Sequence, residues 1–304
     1  MSITPSLLQP TSRATAWGIA YTVFAALCFS VLDTTSQLIG LAAPIVMAQW
    51  LRYGIQMLSS GLVLSTTGEL AHLRITRPRL HIARGLLMVC TTMLGFGSLR
   101  YVPVADFTAI VMLTPLLVTL MSAWFLREKV SALRWALAAG GFAGVLIIIR
   151  PGSHAFESAY LLVLLLAVVG AAFQVLTAWM LRTESSSQTH LASGVIGFLV
   201  MSAALPFFWQ ALPARIWGLM LIVGLAASTG HLLLVMALKK ANASVITPFI
   251  YTQLGFAVMG GWLMFGRVPD GWSLAGMAVI AVCGIVNAWL SMRENRVMTT
   301  TVAS

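Results

Sequence analysis

The chain has 304 residues, 59% of them hydrophobic and 9% charged, with a mean hydropathy of +0.93. A water-soluble surface does not tolerate that composition, so a soluble enzyme or binding domain is excluded. The net charge of +10 would point to a nucleic-acid partner in a soluble protein. In a chain this apolar it belongs to the loops between membrane spans, and no nucleic acid is implied.

Roughly 20 apolar residues cross a bilayer, and the hydropathy pattern predicts an all-α integral membrane protein of ten transmembrane helices. The first five spans are expected at about 16–38, 44–65, 80–99, 105–126 and 133–149. The second five follow at about 159–181, 190–209, 216–238, 244–265 and 273–292. The first segment is too long for a signal-peptide core and shows no small-residue cleavage site, so it is read as a span. Cys28, Cys90 and Cys283 all fall inside spans, where a thiol behaves as a small apolar group and implies no disulfide framework.

Basic residues set the orientation. With the N-terminus in the cytoplasm, the inner side receives thirteen: Arg13, Arg74, Arg77, Arg79, Arg84, Arg127, Lys129, Arg134, Arg182, Lys239, Lys240, Arg293 and Arg296. The outer side holds Arg100, Arg150, Arg215 and Arg267, and Arg52 falls within the second span. This positive-inside bias places both termini in the cytoplasm.

The second half repeats the first. Phe29-Ser30-Val31-Leu32-Asp33 aligns with Phe173-Gln174-Val175-Leu176-Thr177, and Leu99-Arg100 followed by Ala105 and Thr108 aligns with Leu238-Lys239 followed by Ser244 and Thr247. Gly141-Phe142-Ala143-Gly144-Val145 aligns with Ala281-Val282-Cys283-Gly284-Ile285. The chain therefore divides at 1–152 and 153–304 into two five-helix repeats. Five is odd, so the repeats are inverted in the membrane. A site between inverted halves opens alternately to each side, which is the logic of a secondary transporter.

Around the fourth and fifth spans the chain carries Leu99-Arg100-Tyr101-Val102-Pro103-Val104-Ala105-Asp106, Thr114-Pro115-Leu116, Phe125-Leu126-Arg127-Glu128-Lys129, Gly141, Gly144-Val145 and Arg150-Pro151-Gly152. With Arg52 in the second span, these residues resemble the EamA-type ten-helix branch of the drug/metabolite transporter superfamily. The second half departs from the pattern at Gly266-Arg267-Val268-Pro269, where family members usually carry an acidic residue. The resemblance implies a metabolite carrier of the bacterial inner membrane, with a cavity lined by the first, third, fourth, sixth, eighth and ninth helices. Within the branch the chain looks most like the YddG-type exporters of aromatic and other neutral amino acids. Carriers of S-adenosylmethionine or nucleoside-like metabolites share the same skeleton.

Candidate residues follow from polar groups inside spans. Asp33 lies roughly 9 Å and Arg52 about 12 Å from the outer ends of their spans, where each charge needs a partner or water. They are expected to pair as a helix tie or to form an outer gate. On the sixth helix Gly170, Gln174 and Thr177 share a face, and on the eighth Gly224, Ser228 and His231 do. Together with the cavity-lining role that the resemblance implies, this makes Gln174, Thr177 and His231 substrate-contact candidates. Thr92 on the third helix, Met112 on the fourth, Thr247 and Tyr251 on the ninth and Trp179 on the sixth complete the set. Pro115 permits a kink. Gly140 and Gly144 form a small-xxx-small surface for packing among the fourth, fifth, ninth and tenth helices, or for a homodimer.

The sequence shows no paired histidines at metal-ligand spacing, no intramembrane carboxylate pair and no phosphate-cradling loop. No catalytic residue, metal or cofactor is expected. Only Asp33, and Asp106 near a span boundary, are available for ion coupling, which points to weakly coupled or facilitated flux. The expected partners are a small-molecule substrate and membrane lipid.

Overall fold

The computed structural model describes residues 12–68, 77–125, 131–151, 158–181, 183–241 and 243–302. Arg74, Arg127, Glu128, Lys129 and Arg182 lie outside these residues. The described chain is helical throughout: α1 (Ser12–Ile39), α2 (Ile45–Thr66), α3 (Pro78–Ser98), α4 (Val104–Val111), α5 (Thr114–Phe125) and α6 (Ala132–Ile149) form the first half. The second half holds α7 (Ala159–Met180), α8 (Ser186–Phe208), α9 (Ala214–Lys240), α10 (Ala243–Ile246), a 3₁₀ turn (Thr247–Tyr251), α11 (Thr252–Phe265) and α12 (Gly271–Val302). Prolines mark several starts, with Pro44, Pro103 and Pro213 just before α2, α4 and α9 and Pro78 at the head of α3. There a missing N–H costs nothing, because the first helical turn leaves its donors unbonded anyway. Gly266 ends α11 in the left-handed region at φ 64°, which suits a residue without Cβ.

Among the described residues, eight helical rods are long and apolar enough to cross a membrane. The other two of the ten predicted positions are α2 and the rod made by α10, the 3₁₀ turn and α11. α2 falls short because Gln49, Arg52, Gln56, Ser59 and Ser60 dilute its apolar residues. The second of these rods is broken. The protein is a multi-pass membrane bundle, and its exposed faces carry side chains suited to lipid, Leu41, Phe207 and Trp262 among them.

Packing follows the inverted repeat. α1 packs on α9 as α3 packs on α7, α2 on α9 as α8 on α3, and α11 on α1 as α5 on α7. α2 with α8 and α6 with α12 are each a helix against its own counterpart, and α4 packs on α11, so the two equivalent broken rods also meet. The offset that carries Phe29 onto Phe173 also carries Tyr53-Gly54 onto Gly197-Phe198. The Tyr53 ring covers Gly197, and the Phe198 ring covers Gly54. Counterparts in mutual contact must lie on the pseudo-twofold axis, so this pair marks it. Glycines also let α6 and α12 close on each other: a Cβ on Gly144 would stand 2.9 Å from the Gly276 carbonyl oxygen and one on Gly140 2.9 Å from Cys283 Sγ. The small-residue surface is thus an internal seam.

The fourth and ninth spans differ from the continuous helices expected of them. Pro115 has no N–H for the Val111 carbonyl, and the helix breaks at Met112 and Leu113. The Thr114 hydroxyl donates to the Val111 carbonyl at 2.6 Å instead. The Met112 carbonyl accepts from the Tyr251 hydroxyl at 3.3 Å, at the end of the 3₁₀ turn that interrupts the ninth rod. Met112 and Tyr251 stand at the offset that carries Thr108 onto Thr247. The two breaks are therefore counterparts, bonded to each other across the axis.

Candidate transport site

We name the two ends of the bundle by their charge: the basic end carries Arg77, Arg79, Arg134, Lys239 and Lys240, and the opposite end Arg100, Arg150, Arg215 and Arg267. A cavity of about 330 Å³ lies in the basic-end half, among α2, α3, α7, α8 and α9. One wall is aliphatic, from residues such as Ile55, Leu181, Leu225 and Leu232. The other gathers Arg84, Thr177, His190, Ser228 and His231.

Arg84 sits six residues into α3 and is 6% exposed, although its position beside Arg77 and Arg79 made it look like a loop charge. Its Nε donates to the Thr177 hydroxyl at 2.8 Å, and its Nη1 donates to the Thr189 carbonyl at 2.8 Å and to the Ser193 hydroxyl. All three acceptors are neutral. The Phe173 ring lies 4.7 Å from the guanidinium carbon. Phe173's counterpart, Phe29, makes an edge contact with His231 at 5.1 Å between centroids, and Gly230 admits Phe29 because a Cβ there would lie 2.8 Å from the ring. His190 stands 5.5 Å from His231, ring to ring. Two equivalent phenylalanines thus back the cation and the imidazole that face the cavity.

The opposite half is shut. Gln37 donates to the Val102 carbonyl at 2.8 Å and accepts from the Val104 N–H at 3.2 Å, tying α1 to the start of α4. Asp33 accepts from Gln253 Nε2 at 3.1 Å, and Arg52 donates to Gln49 Oε1 at 3.1 Å. Asp33 and Arg52 therefore form no direct ion pair: each bonds a glutamine, and Arg52 Nε is buried without a hydrogen-bond partner. Nearer the surface, Arg150 reaches Asp270 at 2.7 Å.

Of the residues singled out in the sequence, Thr177 and His231 line the cavity. Gln174 is exposed and outside the lining, and so is Trp179, whose ring meets Arg77 at 5.6 Å. Thr92 is held by the Tyr53 hydroxyl at 2.7 Å. Met112 and Tyr251 bond each other in the core, Thr247 opens the 3₁₀ turn, and Pro115 follows the break in the fourth rod. Sequence reading passed over Arg84 and His190. Each lies inside or at the edge of an expected span, and that placement was the available signal.

An inverted-repeat membrane bundle with a polar-walled internal cavity is the architecture of a secondary carrier. The chain belongs to the EamA-like transporter family, whose model matches residues 16–150 and again 157–289. It is 30% identical over 298 residues to a riboflavin transporter of Rhizobium johnstonii, covering 96% of this chain and 97% of that one. It is 28% identical to a pseudopaline exporter of Pseudomonas aeruginosa, over 88% of this chain and 94% of the other. An S-adenosylmethionine uptake transporter of Rickettsia bellii is 26% identical over 68% of this chain and 72% of its own. A crystal structure with 19% sequence identity superposes with a TM-score of 0.64 over 93% of this chain and 99% of its own, a likeness of fold alone. All three named relatives are transporters of small metabolites, and none is named for amino acids.

Proposed function

We propose that this protein is a secondary carrier of a small organic metabolite in the bacterial inner membrane, and that the basic-end cavity is its substrate site. The basic end faces the cytoplasm, with both termini on that side, and the structure is the cytoplasm-facing member of an alternating-access pair. The observation that carries the reading is the division of the cavity into an aliphatic wall and a polar wall. Such a chamber receives a cargo with a flat or apolar body and a hydrogen-bonding end. The names of the relatives favour a metabolite of this kind over the aromatic amino acid export that the narrower resemblance implied.

The pseudo-twofold relation supplies the mechanism. In the exchanged state the α3–α7 seam takes the arrangement α1–α9 has now, and α1 parts from α9 to open the opposite half. Gln37 and Asp33 then release their partners on α4 and α11. Proteoliposomes test the reading with riboflavin, S-adenosylmethionine, tryptophan and nucleosides as counterflow substrates. Saturable counterflow of a non-amino-acid metabolite is expected. Unsaturable flux would make the protein a pore, a new chemical product would make it an enzyme, and counterflow of tryptophan alone would restore the amino acid reading.

A further inference from the structure

We infer that the cavity selects cargo by charge, taking an organic anion whose carboxylate or phosphate oxygens are held by Arg84 with His190, His231 and Ser228 around them. This rests on the basic-end cavity being the substrate site and names the class of molecule that fits it. Arg84 is buried among helices, yet among the described residues no carboxylate lies within ion-pair distance of it. Glu184 belongs to another pair: it is 3.5 Å from His81, one turn before Arg84 on α3, and both are nearly inaccessible. No Asp or Glu lines the cavity. A buried cation without a counter-ion is expensive, and a counter-ion arriving as cargo removes that cost.

The hydrogen-bond inventory points the same way. The three bonds of Arg84 use Nε and Nη1, which leaves the Nη2 donors on a side chain that lines the cavity. Ser228 Oγ is buried with no hydrogen-bond partner, one turn before His231 on α9. The His190 and His231 rings stand tilted at 58° to each other, and among the described residues neither imidazole has a side-chain hydrogen bond. Buried polar atoms are normally bonded. Here donors from α3, α8 and α9 remain open around one space. A guanidinium with a hydroxyl and imidazole N–H groups beside it is a receptor for anionic oxygen, with charge-assisted bonds about twice as strong as neutral ones. The aliphatic wall takes the rest of the molecule. The same surroundings repel an ammonium or sulfonium group.

Three isosteric probes separate charge from shape: naphthoate, its neutral amide naphthamide, and the cation naphthylmethylammonium. Binding is measured by calorimetry to the full chain in phosphatidylcholine nanodiscs. Naphthoate is expected to bind at least about tenfold more tightly than naphthamide, the value of one charge-assisted bond, and the cation not at all. Arg84→Gln should erase the preference for naphthoate while keeping naphthamide binding, which also shows that the variant folds; Arg84→Lys should restore part of it. Phosphatidylglycerol in the disc distinguishes the source of the anion. If it displaces naphthoate, the site holds a lipid headgroup; if it does not, the site holds a soluble anion. Equal binding of acid and amide, or an Arg84→Gln variant that still prefers the acid, overturns the inference while leaving the cavity as substrate site. If no probe binds and the cavity-filling Leu232→Trp leaves transport of the cargo unchanged, both fall.

Discussion

The cavity and the region that corresponds to it by the repeat are built from one template with different side chains. Arg84, Thr177, Leu181, His190, Ser228 and His231 surround the open space. The offsets seen in the packing carry them onto Val223, Asp33, Gln37, Val46, Val89 and Thr92. The second set is satisfied within the protein wherever it is polar: Asp33 by Gln253, Gln37 by the α4 backbone, Thr92 by Tyr53. In the first set Arg84 and Thr177 also bond protein groups, but Ser228 Oγ is buried without a hydrogen-bond partner and Arg84 Nη2 takes no part in that side chain's three bonds. The difference teaches that the backbone symmetry sets where the two equivalent regions lie, while unequal side chains decide which is closed by protein and which keeps a cavity.

Filling the cavity is the strongest way to break this comparison. Leu232→Trp adds an indole to the aliphatic wall, and cargo counterflow should fall by about tenfold or more because the ring takes space that the cargo needs. The matching change at Leu41, exposed in the turn between α1 and α2, should leave transport as it is. Unchanged counterflow in the Leu232 variant would move the substrate site elsewhere.

A smaller effect is expected at the closed half. Gln37→Ala removes two hydrogen bonds that hold α1 to α4, each worth about 1 kcal/mol, and the population with that end open should rise about thirtyfold. A thiol placed at buried Ala105 reports it through its labelling by a membrane-impermeant maleimide. If the rate is the same with Gln37 and with alanine, the clamp does not hold that end shut.

The smallest effect belongs to the surface tie. The Ser273 backbone N–H, donating at 2.8 Å, and the Arg150 guanidinium hold the Asp270 carboxyl below its ordinary value. A carboxylate lowered on folding contributes stability above its unfolded value and loses it as pH falls through the folded one. The tie is therefore intact at neutral pH and lost only in strong acid. Asp270→Asn should change stability by less than about 1 kcal/mol, since a half-exposed pair is screened. Thermal melts should show the two proteins converging as pH falls below about 4. A gap that persists there would show that the carboxylate charge is not what matters.

Much of the molecule was legible in the sequence because its solvent is a bilayer. The ten rods follow from runs of apolar residues, which hydrocarbon demands of any spanning segment, and the inverted repeat follows from ordered matches such as Phe29 with Phe173. Thr177 and His231 were legible as polar groups at helical spacing. Arg84 was not, because a basic residue near a span end has the same composition whether it points to water or inward. The glutamine partners of Asp33 and Arg52 were hidden for a related reason: similar depth does not fix which way a side chain turns.

The sequence by itself determined the class of the protein, its ten hydrophobic rods and its duplicated origin, since these depend on local composition and order. Only the tertiary structure decided that Tyr251 caps the broken helix at Met112, that Tyr53 packs on Gly197 across the axis, and that Arg84 faces a cavity whose described lining holds no carboxylate. Those outcomes depend on which helix faces meet across the axis. That choice is made by close packing among distant residues such as Tyr53 and Gly197, and no window of the sequence contains it.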